Sequence, residues 1–305
     1  MSTSCANCGK GEEDGVGHKK CAACMKVKYC SRNCQTAHRP QHKQACRKRA
    51  AELHDENIFK HPPREDCPIC FLPMPKLITG WKYMSCCGKF VCSGCAFAVK
   101  LTLGIDSCPL CRTLTATIQE DANKQMKSRV DVNDAQAIYN LACDTFNGDY
   151  GVPQDRDNAL TLWRRAAELG CSAAHYNIGN AYRNGEIIGK DMKKAKQHYE
   201  LGAMGGDVNA RYNLAILEND SGNVDRAIKH LMIAVGLGNN DSLKAIKHMY
   251  VHGYATKDDY AKALQSYQSY LDEIKSVHGY ALKALECTYN YKNEESVLTK
   301  FFILS

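Results

Sequence analysis

Residues 5–46 read CANCGKGEEDGVGHKKCAACMKVKYCSRNCQTAHRPQHKQAC, and the spacing of cysteine and histidine in this stretch decides how it folds. Its ligand-type side chains form two C-x2-C pairs and then two pairs spaced i, i+4. The four pairs are Cys5/Cys8, Cys21/Cys24, Cys30/Cys34 and His42/Cys46. A C-x2-C turn directs two thiolates at one metal ion, and residues four apart on a helix share a face. These eight ligands are enough for two closed tetrahedral zinc sites.

His38 repeats the four-residue spacing, but we interpret it as an ordinary surface histidine. Pro40 separates it from His42, and proline is well tolerated in the first turn of a helix. We therefore expect a second short helix to begin at Pro40 and to carry His42 and Cys46.

Cysteine usage favours metal over disulfides. The chain has 305 residues and eighteen cysteines, fifteen of them before residue 112 and only Cys143, Cys171 and Cys287 after it. The N-terminus lacks the basic and apolar regions of a secretory signal, and no apolar run is long enough to span a membrane. We expect an intracellular protein, cytoplasmic or nuclear, without a membrane segment. Thiols stay reduced there, so clustered pairs indicate zinc ligands.

The first cysteine-rich block resembles a known zinc finger. The string YCSRNCQ at residues 29–35, followed by HKQAC at residues 42–46, is similar to the MYND zinc finger. The resemblance implies interleaved pairs, with the first and third pairs on one zinc ion and the second and fourth on the other. Spacing alone leaves consecutive pairing open.

The MYND resemblance also implies a peptide groove. In that family the groove uses a glutamine, matched here by Gln35, and a tryptophan four residues later, where this chain has Arg39. A proline ring would lose the flat apolar surface on which it rests, whereas a guanidinium still stacks or pairs with an acidic peptide.

A second block repeats the ligand count with cysteine alone. Its four pairs are Cys67/Cys70, Cys86/Cys87, Cys92/Cys95 and Cys108/Cys111. The segments CPIC, CGKFVCSGC and CPLCR within it resemble an all-cysteine RING finger. That resemblance implies the same interleaving, and hence two more zinc ions, four in all. Every position is then a thiolate, so no coordination site is open for a catalytic water and the ions are structural.

One feature departs from the RING pattern. The third and fourth ligands, Cys86 and Cys87, are adjacent, and two neighbours share a metal ion only with a strained backbone. The alternative ligand, Lys89, is a poor zinc donor while it is protonated. We favour both cysteines as ligands.

The RING resemblance implies a docking surface for a ubiquitin-conjugating enzyme. The matching positions are Ile69, Pro109, Leu110 and Arg112. In the family the arginine bridges ubiquitin and the conjugating enzyme, so catalysis is by positioning and needs no nucleophile. Many active RING fingers also carry a tryptophan in the following helix, where this chain offers only Phe97.

Beyond about residue 131 a self-similar pattern predicts helical hairpins. Alanines recur at 159, 195, 227 and 263, at intervals of 36, 32 and 36 residues, each with a bulky residue four positions later. Small and large positions one turn apart suit tight helix packing. The pattern resembles the Sel-one-like branch of the tetratricopeptide superfamily, which implies a concave face that binds a client peptide or helix. We interpret Trp163 and the recurring tyrosines as core residues.

The predicted architecture is multidomain, with two small zinc-stabilised modules of treble or cross-brace type followed by an all-α solenoid of helical hairpin repeats. The expected segments are a MYND-type finger at 1–50, a linker at 51–66, a RING-type finger at 67–112, a linker at 113–130, Sel-one-like repeats at 131–275 and a C-terminal capping helix at 276–305.

These features predict a zinc-binding protein-interaction adaptor, with a RING-type ubiquitin ligase as the leading hypothesis and a non-enzymatic scaffold as the alternative. The formal net charge is +7, with a basic excess in the first block. Such charges commonly solvate a small domain, so nucleic-acid binding is not expected. No clustered catalytic set points to another enzyme.

Overall fold

A computed structural model describes residues 4–11, 17–62, 65–75, 80–103, 107–114, 116 and 118–286. The chain divides into two compact units, Met1–Lys60 and His61–Ser305. None of the helices in the described ranges is both long and apolar enough to cross a membrane.

The first unit is a small hairpin followed by one long helix. Strand β1 (Lys19–Lys20) pairs antiparallel with β2 (Lys28–Tyr29), and α1 spans Arg32–Ile58. The Ser31 side chain caps α1 by accepting a hydrogen bond from the Cys34 amide at 3.2 Å.

Helix α1 runs through Pro40, so the expected second helix does not begin there. Proline has no N–H to donate to the carbonyl four residues earlier, that of Thr36. Both residues are exposed, so water can satisfy that carbonyl and the helix continues. Much of the segment expected as a linker at 51–66 therefore belongs to α1.

The second unit begins with a hairpin and a helix. Strand β3 (Trp81–Met84) pairs antiparallel with β4 (Lys89–Cys92), and α2 (Ser93–Leu103) follows directly. The connecting turn holds Cys86 and Cys87 and ends at Gly88, whose φ is +72°. A Cβ at Gly88 would collide with the guanidinium of Arg129, so this turn requires glycine.

Helix α3 (Gln119–Asp131) occupies most of the segment expected as a linker at 113–130. Most of its residues are good helix formers. Glu120 and Asp121 lie in the first turn and Arg129 in the last, which complements the helix dipole. Met126 and Val130, one turn apart, pack against the core of the first repeats.

Eight helices then form four hairpins. They are α4 (Ala135–Asn147), α5 (Arg156–Glu168), α6 (Ser172–Asn184), α7 (Met192–Met204), α8 (Val208–Asp220), α9 (Val224–Gly236), α10 (Asn240–Val251) and α11 (Lys257–Glu286). Neighbouring helices pack in chain order, as the repeat pattern predicted. The recurring alanines Ala159, Ala195, Ala227 and Ala263 are all fully buried. The expected solenoid is confirmed.

Helix α11 crosses the expected boundary between the repeats and the capping helix at 275/276. It packs against α9, α10 and also α2 of the cysteine-rich block. Residues 287–305 of the expected capping helix lie outside the described residues.

Candidate metal centres

Four of the C-x2-C turns share one backbone geometry. In each, the residue after the second cysteine donates its amide to the carbonyl of the first cysteine, at 2.8 to 2.9 Å. These donors are Gly9, Met25, Phe71 and Arg112, and all have a φ between 53° and 73°. The turn bends the chain back so that both sulfurs face one point. Three of the four residues are not glycine, and the left-handed backbone costs each of them about 1 kcal/mol or more of conformational free energy.

The first unit brings eight predicted ligands together in two groups. Within each group the ligand atoms lie within 4.8 Å of one another. The groups are Cys5, Cys8, Cys30, Cys34 and Cys21, Cys24, His42, Cys46. This is the interleaved arrangement that the MYND resemblance implied.

The separations within these groups match tetrahedral zinc. Zinc–sulfur bonds of about 2.3 Å place the sulfurs of a tetrahedron about 3.8 Å apart. The Sγ atoms of Cys8 and Cys30 are 3.5 Å apart, and those of Cys21 and Cys46 are 3.7 Å apart. His42 Nε2 lies 3.3 Å from the Sγ of Cys24.

The cysteine-rich block of the second unit also forms two groups. They are Cys67, Cys70, Cys92, Cys95 and Cys86, Cys87, Cys108, Cys111. The adjacent cysteines enter the same group, because Cys87 Sγ lies 3.7 Å from that of Cys108 and Cys86 Sγ lies 3.3 Å from that of Cys111. Lys89, the alternative ligand, is exposed.

The chemistry of these groups suits a divalent cation. All described cysteines are free, and the shortest of these separations far exceeds a disulfide bond of about 2.05 Å. A hydrogen bond from Cys95 lowers the pKa of the Cys92 thiol to about 5, whereas donating that bond raises the pKa of Cys95. One thiolate is thus stabilised at the expense of its neighbour, and a bound cation allows all four to ionise.

His38 is more than a surface histidine, contrary to our interpretation. Its Nδ1 lies 3.0 Å from the hydroxyl of Tyr29, and its ring stacks on that of His42 at 5.6 Å between centroids. Tyr29 is buried among the cysteines of the first unit. The four-residue spacing was the signal, because one helical turn places His38 directly beside the candidate ligand His42.

The predicted docking positions of the second block lie close to its zinc groups. Ile69 and Leu110 are half-buried and pack against the cysteine core, Pro109 is half-buried, and Arg112 is exposed. Sequence reasoning missed Phe71, which is 77% exposed immediately after the first cysteine pair. In the first unit, Gln35 and Arg39 are exposed one turn apart on α1.

Sequence reasoning also missed the junction between the second block and the repeats. The hydroxyl of Tyr83 on β3 donates to Asp134 Oδ2 at 2.9 Å, and Arg129 Nη2 donates to the same oxygen at 2.7 Å. The other oxygen of Asp134 caps α4. Burial raises the pKa of Asp134, but the hydrogen bonds from Arg129 and Tyr83 outweigh this effect and hold that pKa below its usual value.

Comparison with known families agrees with two of these parts. A family model of the MYND finger matches residues 5–46, and the Sel1 repeat model matches residues 135–171 and 172–207. The chain therefore carries a MYND finger followed by Sel1 repeats. A MYND finger binds zinc, and four cysteine-rich groups are compatible with it, so zinc is the cofactor. No curated protein matches the sequence.

Solved structures with similar chains include Sel1-type proteins. A Sel1 repeat protein from Oxalobacter formigenes is 24% identical, with a TM-score of 0.44, over 60% of this chain and 72% of that one. A protective antigen of uropathogenic Escherichia coli with an SLR fold is 25% identical, with a TM-score of 0.43. The match covers 52% of this chain and 34% of that chain. An immunity protein from Pseudomonas aeruginosa is 16% identical, with a TM-score of 0.33. The match covers 60% of this chain and 83% of that chain.

Proposed function

We propose that this protein is a zinc-dependent adaptor and RING-type ubiquitin ligase. Its second cysteine-rich block would recruit a ubiquitin-conjugating enzyme, and its repeats would hold the client. The observation that carries the proposal is the cross-brace order of the second block, in which the first and third cysteine pairs converge on one point and the second and fourth on another. A MYND finger with Sel1 repeats supports the broader role of protein-interaction adaptor.

The proposed zinc sites are closed, and this determines the mode of catalysis. Each site of the second block consists of four thiolates, which leaves no coordination position for a water or substrate. Zinc would then supply folding energy only, on the order of 10 to 16 kcal/mol per site in small domains. The chain itself would act by holding a charged conjugating enzyme in a reactive pose.

The docking surface would combine apolar and cationic contacts. Ile69 and Leu110 offer apolar surface beside the zinc core, and Phe71, two residues after Ile69, adds a large exposed aromatic ring. The exposed Arg112 would bridge ubiquitin and the conjugating enzyme, because a guanidinium offers several donors in one plane. The exposed pair Gln35 and Arg39 on α1 would form a separate contact for an acidic peptide.

One observation favours a non-enzymatic scaffold as the second candidate. Helix α2, which in active RING fingers often carries a tryptophan toward the conjugating enzyme, has Phe97 as its aromatic residue and packs against α11. In this alternative the zinc modules and the repeats only bring proteins together, and Arg112 has no role in transfer.

The test is an autoubiquitination assay on zinc-loaded protein with a panel of conjugating enzymes. We expect chain formation by the wild type and a loss of at least tenfold in Ile69→Ala and Arg112→Ala, at unchanged zinc content. Arg164→Ala, which removes an exposed arginine from α5, is the matched control and retains activity. A correctly loaded wild type that is inactive with every enzyme of the panel selects the scaffold.

A further inference from the structure

The C-terminal end of α10 carries two histidines at helical spacing. His248 lies in the last turn and His252 is the C-cap, four residues later, so their side chains share one face. Both are exposed, and their ring centroids are 4.0 Å apart. Imidazole suits zinc, nickel and copper, and two ligands one helical turn apart can bind the same ion. Neither histidine belongs to the four zinc groups.

A hydrogen bond fixes which nitrogen of His252 carries the proton. Its Nδ1 lies 2.8 Å from the backbone carbonyl of His248, and its backbone N–H donates to the same oxygen at 3.1 Å. A carbonyl oxygen only accepts, so Nδ1 is protonated and the neutral ring has its lone pair on Nε2. Metal-binding histidines commonly donate one ring N–H to a carbonyl in this way and bind the ion through the other nitrogen. His252 is therefore held in the tautomer that a metal ion requires.

The electrostatics of this turn favour a cation. The last carbonyls of a helix carry partial negative charge, and both histidines stand where α10 ends. Lys244 lies one turn before His248, but its Nζ pairs with Asp241 Oδ1 at 3.0 Å. Lys247 is next to His248 in sequence, and adjacent residues of a helix do not face each other. A divalent ion at the two rings would thus meet a favourable dipole and a lysine that is already paired.

A second histidine pair shows by contrast what such a site needs. His175 on α6 and His198 on α7 are half-buried, and their Nδ1 atoms lie 3.1 Å apart. A hydrogen bond between these atoms requires a proton on one of them, which an ion would have to displace. Burial, His175 and Arg164 together lower the pKa of His198 to about 4. Because the positive charge of Arg164 would also repel a metal ion, this pair serves as a control.

We propose that His248 and His252 form an additional metal site, which binds one borderline divalent cation such as Zn²⁺ or Ni²⁺ through Nε2 of His252 and a ring nitrogen of His248. Mg²⁺, which prefers oxygen ligands, does not bind. With two protein ligands instead of four, the site is weaker than the cysteine groups, so it fills only when metal is added. Water or a donor from another protein completes the coordination. The proposal is independent of the ligase function, because no residue of the second cysteine-rich block takes part.

The test titrates Ni²⁺ into zinc-loaded, dialysed full-length protein by isothermal calorimetry. We expect one nickel ion per chain in the wild type and no binding of Mg²⁺. His248→Gln and His252→Gln each leave a single imidazole, so the affinity for Ni²⁺ falls about tenfold or more, as expected when a two-point contact becomes one. The zinc content, measured by mass, should stay unchanged throughout, which shows that nickel has not entered the cysteine groups.

Two further variants locate the ion. His54→Gln removes an exposed histidine of α1 that has no second histidine one turn away, and His175→Gln removes one member of the half-buried pair. Both should keep the wild-type affinity for Ni²⁺. NMR of the ring nitrogens should show the proton of His252 on Nδ1 and a shift of its Nε2 signal when Zn²⁺ is added.

Three outcomes would overturn the proposal. One is a wild type that binds no nickel, and another is a His252→Gln variant that binds it as tightly as the wild type. The third is a His252 ring that carries its proton on Nε2. Each of these results leaves the ubiquitination assay free to succeed or fail.

Discussion

At the scale of the residue, four positions with a left-handed backbone shape the zinc turns. Cysteine spacing was enough to predict which residues converge, because a C-x2-C turn has few alternatives. The backbone after each turn was not predictable, since glycine marks only the first of the four and Met25, Phe71 and Arg112 carry no such signal. These residues hold a strained backbone because the hydrogen bond from their N–H to the carbonyl of the first cysteine sets their φ.

Replacing one of these residues by glycine should therefore stabilise the protein. Met25→Gly removes the cost of a positive φ and exposes no core, since Met25 is 52% exposed. We expect a gain of about 0.5–1 kcal/mol in the free energy of unfolding, read from the denaturant concentration at which zinc is released. The neighbouring Lys26 has an ordinary φ, so Lys26→Gly should lower the free energy of unfolding by a similar amount. Equal destabilisation by both changes would contradict the account.

At the scale of the element, the repeats follow from the alternation of small and large residues. Ala195 and Tyr199, one turn apart on α7, are both fully buried, as the period predicted. Helix α3 was missed because its sequence is polar apart from Ala122, Met126 and Val130, which gives little periodic signal. The unbroken α1 was missed because Pro40 is usually a helix start, and only its exposure makes the interior position tolerable.

Close packing of α6 on α7 gives a direct test at this scale. Gly179 lies against the Tyr199 ring, and a Cβ there would sit 2.5 Å from the ring carbon Cε1. Gly179→Ala should lower the free energy of unfolding by about 1–3 kcal/mol, measured by helical circular dichroism. Gly189→Ala has open space around it and should be nearly neutral. Comparable effects at the two positions would rule out the packing explanation.

At the scale of the whole molecule, Asp134 joins the second cysteine-rich block to the repeats. Its partner Tyr83 is 51 residues away in sequence, and no local pattern predicts such a pair. Since the folded-state pKa of Asp134 is lowered, its contribution to stability is present above its unfolded pKa of about 3.9 and disappears as pH falls through the folded value. The junction is therefore intact at neutral pH.

Breaking this junction should loosen both sides at once. Asp134→Ala removes the α4 cap and the bonds from Tyr83 and Arg129, so we expect faster hydrogen exchange in α4 and in the β3–β4 hairpin at neutral pH. Asp155→Ala removes the equivalent cap from α5 alone and should leave the hairpin protected. Unchanged exchange in the hairpin of Asp134→Ala would show that the junction carries no coupling.

The most direct test of the account is the zinc count by native mass spectrometry. The wild type should hold four zinc ions, and Cys86→Ser should hold fewer or bind the fourth weakly, because Cys86 and Cys87 share one group. Cys143→Ser, outside every group, should keep all four. A wild type with fewer than four zinc ions, or a Cys86→Ser variant that retains the fourth at wild-type affinity, would contradict the paired cross-brace arrangement.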